Sequence, residues 1–255
     1  MGKGKSLQYW QEYELQRVSS QELFLRKKLG GHAVVTDVTS YEWLFIQIDL
    51  QDGMAQLKLE DASLLVESGS YGLFVPPFSI YQSQFDAFRA EMRAYFSLLP
   101  IPRALPNSPV FFRWQSPPFE GYFAEMIVAL NAADDFLYAR MDEPNEDHND
   151  LARQIKIGID RTFEQDCLLT RLADELCISP AHLSRLFKKK YGLTAVDYRS
   201  KLRSVWAVQQ LIRSEQRNIS DIAFDVGYND LSRFNKQFRR HLRMAPGVLK
   251  KLSND

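Results

Sequence analysis

Leu172–Thr194 reads "LADELCISPAHLSRLFKKKYGLT", and some fifty residues later Ile222–Pro246 reads "IAFDVGYNDLSRFNKQFRRHLRMAP". Both contain Leu-Ser-Arg, beginning at Leu183 and at Leu231. Aligning those triplets, a shift of 48, sets Phe187 on Asn235 and so places an apolar position on a polar one. A shift of 51 sets Leu183 on Phe234 and Phe187 on Phe238, which preserves an i, i+4 apolar pair. It also matches Lys188-Lys189 with Arg239-Arg240 and Thr194-Ala195 with Ala245-Pro246. Upstream, Leu172–Leu176 matches Ile222–Val226 at a shift of 50, so the second copy has one extra turn residue. The shared triplet is a coincidence; the repeat is real.

Each copy is a short helix, a tight turn and a helix with a basic far end. That is the helix-turn-helix plan, whose second helix enters a major groove. Helix starts are expected at Thr170, at Ser179 with Pro180, at Thr194 with Asp197, at Ser220 and at Asp230, all residue types that cap N-terminal amides. Between the copies, "TAVDYRSKLRSVWAVQQLIRS" predicts one long helix of roughly 30 Å, close to one turn of B-DNA. Two recognition helices held that far apart can read successive major grooves on one face of a duplex.

Charge supports this reading. The 255 residues carry no net charge, yet residues 151–255 hold 20 Lys/Arg against 11 Asp/Glu, a net +9, and residues 1–150 hold the balancing −9. Such a split points to two domains, the basic one suited to a polyanion. At 45% hydrophobic and 25% charged, the composition is that of a globular protein. The N-terminus lacks the apolar core of a secretory signal, and no apolar run is long enough for a membrane span. Two cysteines, Cys167 and Cys177, and four scattered histidines supply neither a disulfide framework nor a metal site. A cytoplasmic protein without cofactor is expected.

Residues 30–82 alternate in β fashion. "EWLFIQIDL" (Glu42–Leu50) is expected to end at the turn Gln51–Gly53, and "AQLKLE" to form the next strand. Gly69 and Gly72 mark turns or bulges, Pro76-Pro77 closes a strand, and "VFFRW" offers a short one. Two amphipathic helices are expected. One carries Phe85, Phe88, Met92, Tyr95, Phe96 and Leu99 on one face, and the other runs from Phe119 to Arg140. The acidic, polar stretch Met141–Asp150 reads as a linker.

From "LADELCISPAHLSRLFKKKYGLT", "DYRSKLR" and "ISDIAFDVGYNDLSRFNKQFRRHLRMAP", residues 151–255 resemble the AraC/XylS family of transcription regulators. Two positions depart from the family pattern: Arg243 stands where Gly is favoured, and Ala195 where Pro is common. The resemblance implies an α+β chain. Residues 1–140 would be a cupin-like β-barrel with amphipathic helices, for regulation and dimerisation, and residues 141–150 a linker. Residues 151–255 would be an all-α domain with two helix-turn-helix units joined by a long helix.

It also implies the DNA-facing positions. In the first recognition helix these are Ala181, His182, Ser184 and Arg185; in the second they are Leu231, Ser232, Arg233, Asn235 and Lys236. Arg185 has the fork that bonds guanine bidentately, Asn235 can read adenine, and Leu231 can offer only apolar contact, for instance to a thymine methyl. Lys188, Lys189, Arg239 and Arg240 suit phosphate or solvent. Leu183, Phe187, Phe234, Phe238 and Trp206 suit the core.

The expected function is that of a sequence-specific transcriptional regulator, an activator, binding double-stranded promoter DNA and contacting RNA polymerase or displacing another regulator. A small molecule or partner would act on the N-terminal domain, where Tyr41, Trp43, Phe45, Tyr71, Phe74 and Phe78 line a pocket or fill a core. A cupin enzyme is rejected, since only His32 lies among the strands as a metal ligand. The alternative is an interaction protein whose N-terminal domain titrates a partner, DNA binding being secondary. The apolar stripe of 119–140 makes a homodimer an open expectation.

Overall fold

The computed structural model describes residues 10–18, 22–59, 62–97, 110–114, 150–166, 168–214 and 216–252. They fall into a sheet unit and a helical unit. The expected helix Phe119–Arg140 and the linker residues before Asp150 lie outside the described residues. No helix among the described residues is long and apolar enough to cross a membrane.

The sheet unit is an antiparallel β-barrel with six strands among the described residues: β1 (Trp10–Val18), β2 (Glu22–Val38), β3 (Trp43–Leu59), β4 (Ala62–Val75), β5 (Ile80–Ser97) and β6 (Val110–Arg113). Their order is β1-β2-β5-β3-β4-β6. The strands are longer than the sequence suggests, and the reason lies at Gln51–Gly53. This stretch is not a turn. Between the pairs Leu50↔Gly69 and Met54↔Glu67, β3 advances four residues while β4 advances two, so the segment is a bulge inside a continuous strand. Gly53 takes φ 75°, and the Asp52 carboxylate accepts the Arg89 amide at 3.1 Å.

Where a helix is expected from Phe85 onward, the structure has strand β5, which ends at Ser97; Leu99 lies outside the described residues. Along β5, Tyr81, Ser83, Phe85 and Ala87 are buried in alternation, and then the phase switches to Ala90, Met92 and Ala94. The switch sits opposite the β3 bulge, between the pairs Met54↔Asp86 and Leu50↔Ala90. Two strand halves of opposite phase counterfeit the three- and four-residue steps of an amphipathic helix.

Near the start of β3 both faces are buried: Leu44, Ile46 and Ile48 on one, Phe45 and Gln47 on the other. Phe45 packs against Phe74 at 5.0 Å and Tyr95 at 5.8 Å, and Phe24 stacks on Tyr95 at 4.3 Å. Phe45 and Phe74 therefore fill the core. Further along, Asp49 and Glu91 stand directly opposite each other, an unfavourable pairing of like charges. Arg93 bonds both carboxylates, and Arg26 bonds Glu91 at 2.6 Å.

The helical unit has seven helices among the described residues: α1 (Leu151–Thr162), α2 (Leu168–Glu175), α3 (Pro180–Tyr191), α4 (Ala195–Arg213), α5 (Ile219–Asp225), α6 (Leu231–Leu242) and α7 (Pro246–Leu252). Asp150, read as the last linker residue, caps α1 by accepting the amides of Ala152 and Arg153, and it pairs with Lys190. Burial alone would raise the Asp150 carboxyl, but Lys190 and the two amides hold it below its ordinary value.

Two helix starts differ from expectation. Thr170 lies inside α2, which begins at the fully buried Leu168; Ser220 lies inside α5, which begins after Asn218. Burying a leucine contributes about 2 kcal/mol, more than the roughly 1 kcal/mol of a cap, so packing set the start of α2.

Replacing Gly53 with alanine adds a Cβ that collides with the Asp86 carbonyl, at a φ that L-residues rarely adopt. The expected loss is about 2–4 kcal/mol from the sheet unit. A urea unfolding midpoint unchanged in Gly53→Ala would contradict this account of the bulge.

Candidate nucleic-acid interface

The second helix of each copy is built the same way. Ser179 caps α3 by accepting the His182 amide at 3.2 Å, and Asp230 caps α6 by accepting the Ser232 and Arg233 amides at 2.9 and 3.1 Å. These caps are 51 residues apart, the shift that aligns the apolar anchors. Leu183 and Phe187 in α3, and Phe234 and Phe238 in α6, are all at most 1% exposed. Trp206 is only half-buried. At the far ends Gly192 and Arg243 both turn left-handed, with φ 75° and 59°, and return their amides to Lys188 and Arg239. Arg243 thus closes its turn as the glycine does.

With the anchors turned inward, the other side of each helix faces outward. Ala181, His182, Arg185, Lys188 and Lys189 are exposed and Ser184 is half-exposed. Leu231, Ser232, Arg233, Lys236, Arg239 and Arg240 are exposed and Asn235 is half-exposed. At the 51-residue shift all but Leu231, which falls opposite Pro180, pair one to one: Ala181 with Ser232, His182 with Arg233, Ser184 with Asn235, Arg185 with Lys236, Lys188 with Arg239 and Lys189 with Arg240. Leu231, Ser232, Asn235, Lys236 and Arg239 border a common cleft.

Neither helix contains an aspartate or glutamate. Arg185, Lys188, Lys189, Arg233, Lys236 and Arg239 form no ion pair with any described residue. Arg240 differs, since it reaches Asp197 at 3.3 Å and is part of the packing between α6 and α4. The joining helix α4 has 19 residues and spans about 28 Å.

Four residues outside the expected set hold the two copies together. Arg199 and Arg203 of α4 point at the C-terminal end of α1. Arg203 Nε donates to the Phe163 carbonyl at 2.7 Å and its Nη2 to that of Glu164 at 2.9 Å; Arg199 Nε donates to Phe163 at 2.9 Å. Burial, then the neighbouring charge of Arg199, pushes the Arg203 guanidinium down to about 10. Gly227 and Asn229, in the turn of the second copy, lie against the same region. The sequence signal for this turn is the change of shift from 50 to 51.

Residues 172–251 match a family described as "Helix-turn-helix domain". The HTH-type transcriptional activator RhaS of Mannheimia succiniciproducens is 34% identical over 98 residues, covering 38% of this chain and 36% of that protein. The arabinose operon regulatory protein of Escherichia coli K12 is 24% identical over 132 residues, covering 50% of this chain and 44% of that one. The helical unit carries a helix-turn-helix domain of the AraC/XylS type. Among solved structures, the C-terminal domain of AraT, a response regulator from Geobacillus stearothermophilus, is similar at 27% identity and a TM-score of 0.38. That match covers 40% of this chain and 84% of that one. The present chain spans less than half the length of the two relatives named.

Within this AraC/XylS-type domain, Asp230→Ala and Ser179→Ala should each lower stability by about 1 kcal/mol through the lost cap. Arg243→Gly should raise it by about 0.5–1 kcal/mol by relieving a left-handed residue. Chemical denaturation of the three variants against the parent measures both signs.

Proposed function

We propose that this chain is a sequence-specific transcriptional regulator that binds double-stranded promoter DNA with two recognition helices, α3 and α6. The observation that carries the proposal is the one-to-one equivalence of the outward positions on those helices. Each presents small or polar residues near its N-terminus and cations further along, with no carboxylate to repel phosphate. Two such surfaces joined by a helix of about 28 Å suit successive major grooves.

Arg185 and Asn235 read base edges in this scheme, assisted by Ala181, His182, Ser184, Ser232, Arg233 and Lys236. Leu231 meets a thymine methyl. Lys188, Lys189 and Arg239 neutralise phosphate, and Arg240 does so while tied to Asp197. The relative named as an activator supports activation, and RNA polymerase is the protein this reading has the chain contact. Control by an effector acting on the sheet unit, cytoplasmic location and homodimerisation complete the proposal.

The test is direct binding to duplexes selected by the full chain from a random pool. Affinity should fall steeply with salt, each phosphate contact contributing about −0.9 to the log–log slope. Arg185→Ala should cost about 1–3 kcal/mol on the selected duplex and relax preference at one base pair. Lys189→Ala should weaken all sequences alike and make the slope shallower by about one contact. No enrichment of any sequence, or identical sequence-independent losses in both variants, would defeat this reading.

A further inference from the structure

The turn of the second copy departs from that of the first in two places, and both touch the end of α1. Where the first copy has Cys177, exposed and at φ 54°, the second has Gly227 at φ 91°. A Cβ on Gly227 would collide with the Glu164 carbonyl and with the Arg203 guanidinium, so glycine is required by the close approach as well as by φ. The inserted residue is Asn229, because the amides of Ile178 and Tyr228 return equivalently to Ala173 and Ala223, while the caps that follow are Ser179 and Asp230. The Asn229 side-chain amide donates to the Asp166 carboxylate at 2.8 Å. The insertion is therefore used as a tie.

Arg203 completes the junction. It is 7% exposed, it donates to the carbonyls of residues 163–165, and its guanidinium lies 5.3 Å from the centre of the Tyr228 ring. Tyr228 in turn meets Phe234 edge-on at 5.5 Å, and Phe234 is a buried anchor of recognition helix α6. A continuous path of contacts thus runs from the end of α1, which packs in the first copy, to the underside of the second recognition helix.

We propose that Arg203, Gly227 and Asn229 form a clasp that fixes the angular phase between the two recognition helices, and thereby sets which spacing of two half-sites the protein accepts. This rests on the DNA-binding reading above. Arg203 and Asn229 are positioning residues: neither belongs to the outward face of a recognition helix. α4 meets α6 directly, through Asp197 with Arg240 and Ser200 beside Gln237 and His241, and the clasp adds a second tie at the turn that leads into α6.

The test uses the full chain carrying Arg203→Lys or Asn229→Ala. Lysine keeps the charge and one hydrogen bond but loses the fork, whereas Asn229 is exposed and its loss leaves the core intact. Three duplexes serve as probes: the one selected by the parent protein, and the same duplex with one base pair inserted or deleted between its two contacted blocks. The parent should lose about tenfold or more on either altered duplex, one base pair being a rotation of roughly 35° about the helix axis. Each variant should bind the selected duplex less tightly and show a spacing penalty below about threefold. A penalty equal to that of the parent in both variants would overturn the clasp.

A second measurement needs no DNA. With Cys167→Ser and Cys177→Ser as background, spin labels at Lys188→Cys and Arg239→Cys report the distance between equivalent points of the two helices. A narrow distribution in the parent and a broadened one in both variants supports the clasp; equal widths overturn it. If the parent selects no duplex, the functional reading fails while this distance comparison still judges the junction.

Discussion

The last carbonyls of an α-helix must find donors, and at the end of α1 they cannot all find water. The carbonyls of Phe163, Glu164 and Gln165 receive two guanidinium groups from α4, Arg199 and Arg203. An arginine that serves as a helix cap in this way spends most of its five donors on neutral oxygens. Neutral oxygens supply no counter-charge of their own, and burial, then the charge of Arg199, lowers the Arg203 guanidinium more than Tyr228 and Asp166 raise it. The geometry of the helical unit follows from this requirement. α4 must lie where its arginines reach α1, and once it does, its N-terminal half packs Tyr198 on Phe187 of one copy. Ser200, one turn earlier than Ser204, sits beside Tyr228, Gln237 and His241 of the other.

How much of this was legible in the sequence depends on the range of the interaction concerned. The recognition helices were, because their signals are local. Ser179 and Asp230 precede their helices, Leu183/Phe187 and Phe234/Phe238 are four residues apart, and one shift relates the two sets. The left-handed Arg243 was visible as a departure but not its outcome, which depends on how little a single left-handed residue costs against a finished turn. The barrel was legible as a class and not in detail. A bulge in β3 leaves no mark on its own strand that differs from a turn, and its effect on β5, a change of alternation phase, mimics helical spacing.

The junction was illegible for a different reason. Arg203 looks like one more cation on a basic helix, and its acceptors are backbone atoms some forty residues away that have no residue type to recognise. Gly227 and Asn229 look like ordinary turn residues. Only the one-residue slip between the two copies records that the second turn has to reach something the first does not. Similarly, α2 starts at the buried Leu168, and Thr170 and Ser220, good caps by chemistry, lie inside their helices.

The sharing of α4 between copies has a consequence for how the helical unit comes apart. Its buried side chains include Tyr198, Leu202, Arg203 and Leu211, and α3, α5, α6 and α7 all rest on it. Neither copy can lose α4 without stripping the other of its floor, so opening of one recognition helix beyond fraying requires opening of both. The backbone amides at the centres of α3 and α6 should consequently exchange with solvent through one cooperative event of one free energy, even though the chain contains the motif twice. On this packing the tandem repeat should unfold as one unit and not as two independently melting modules.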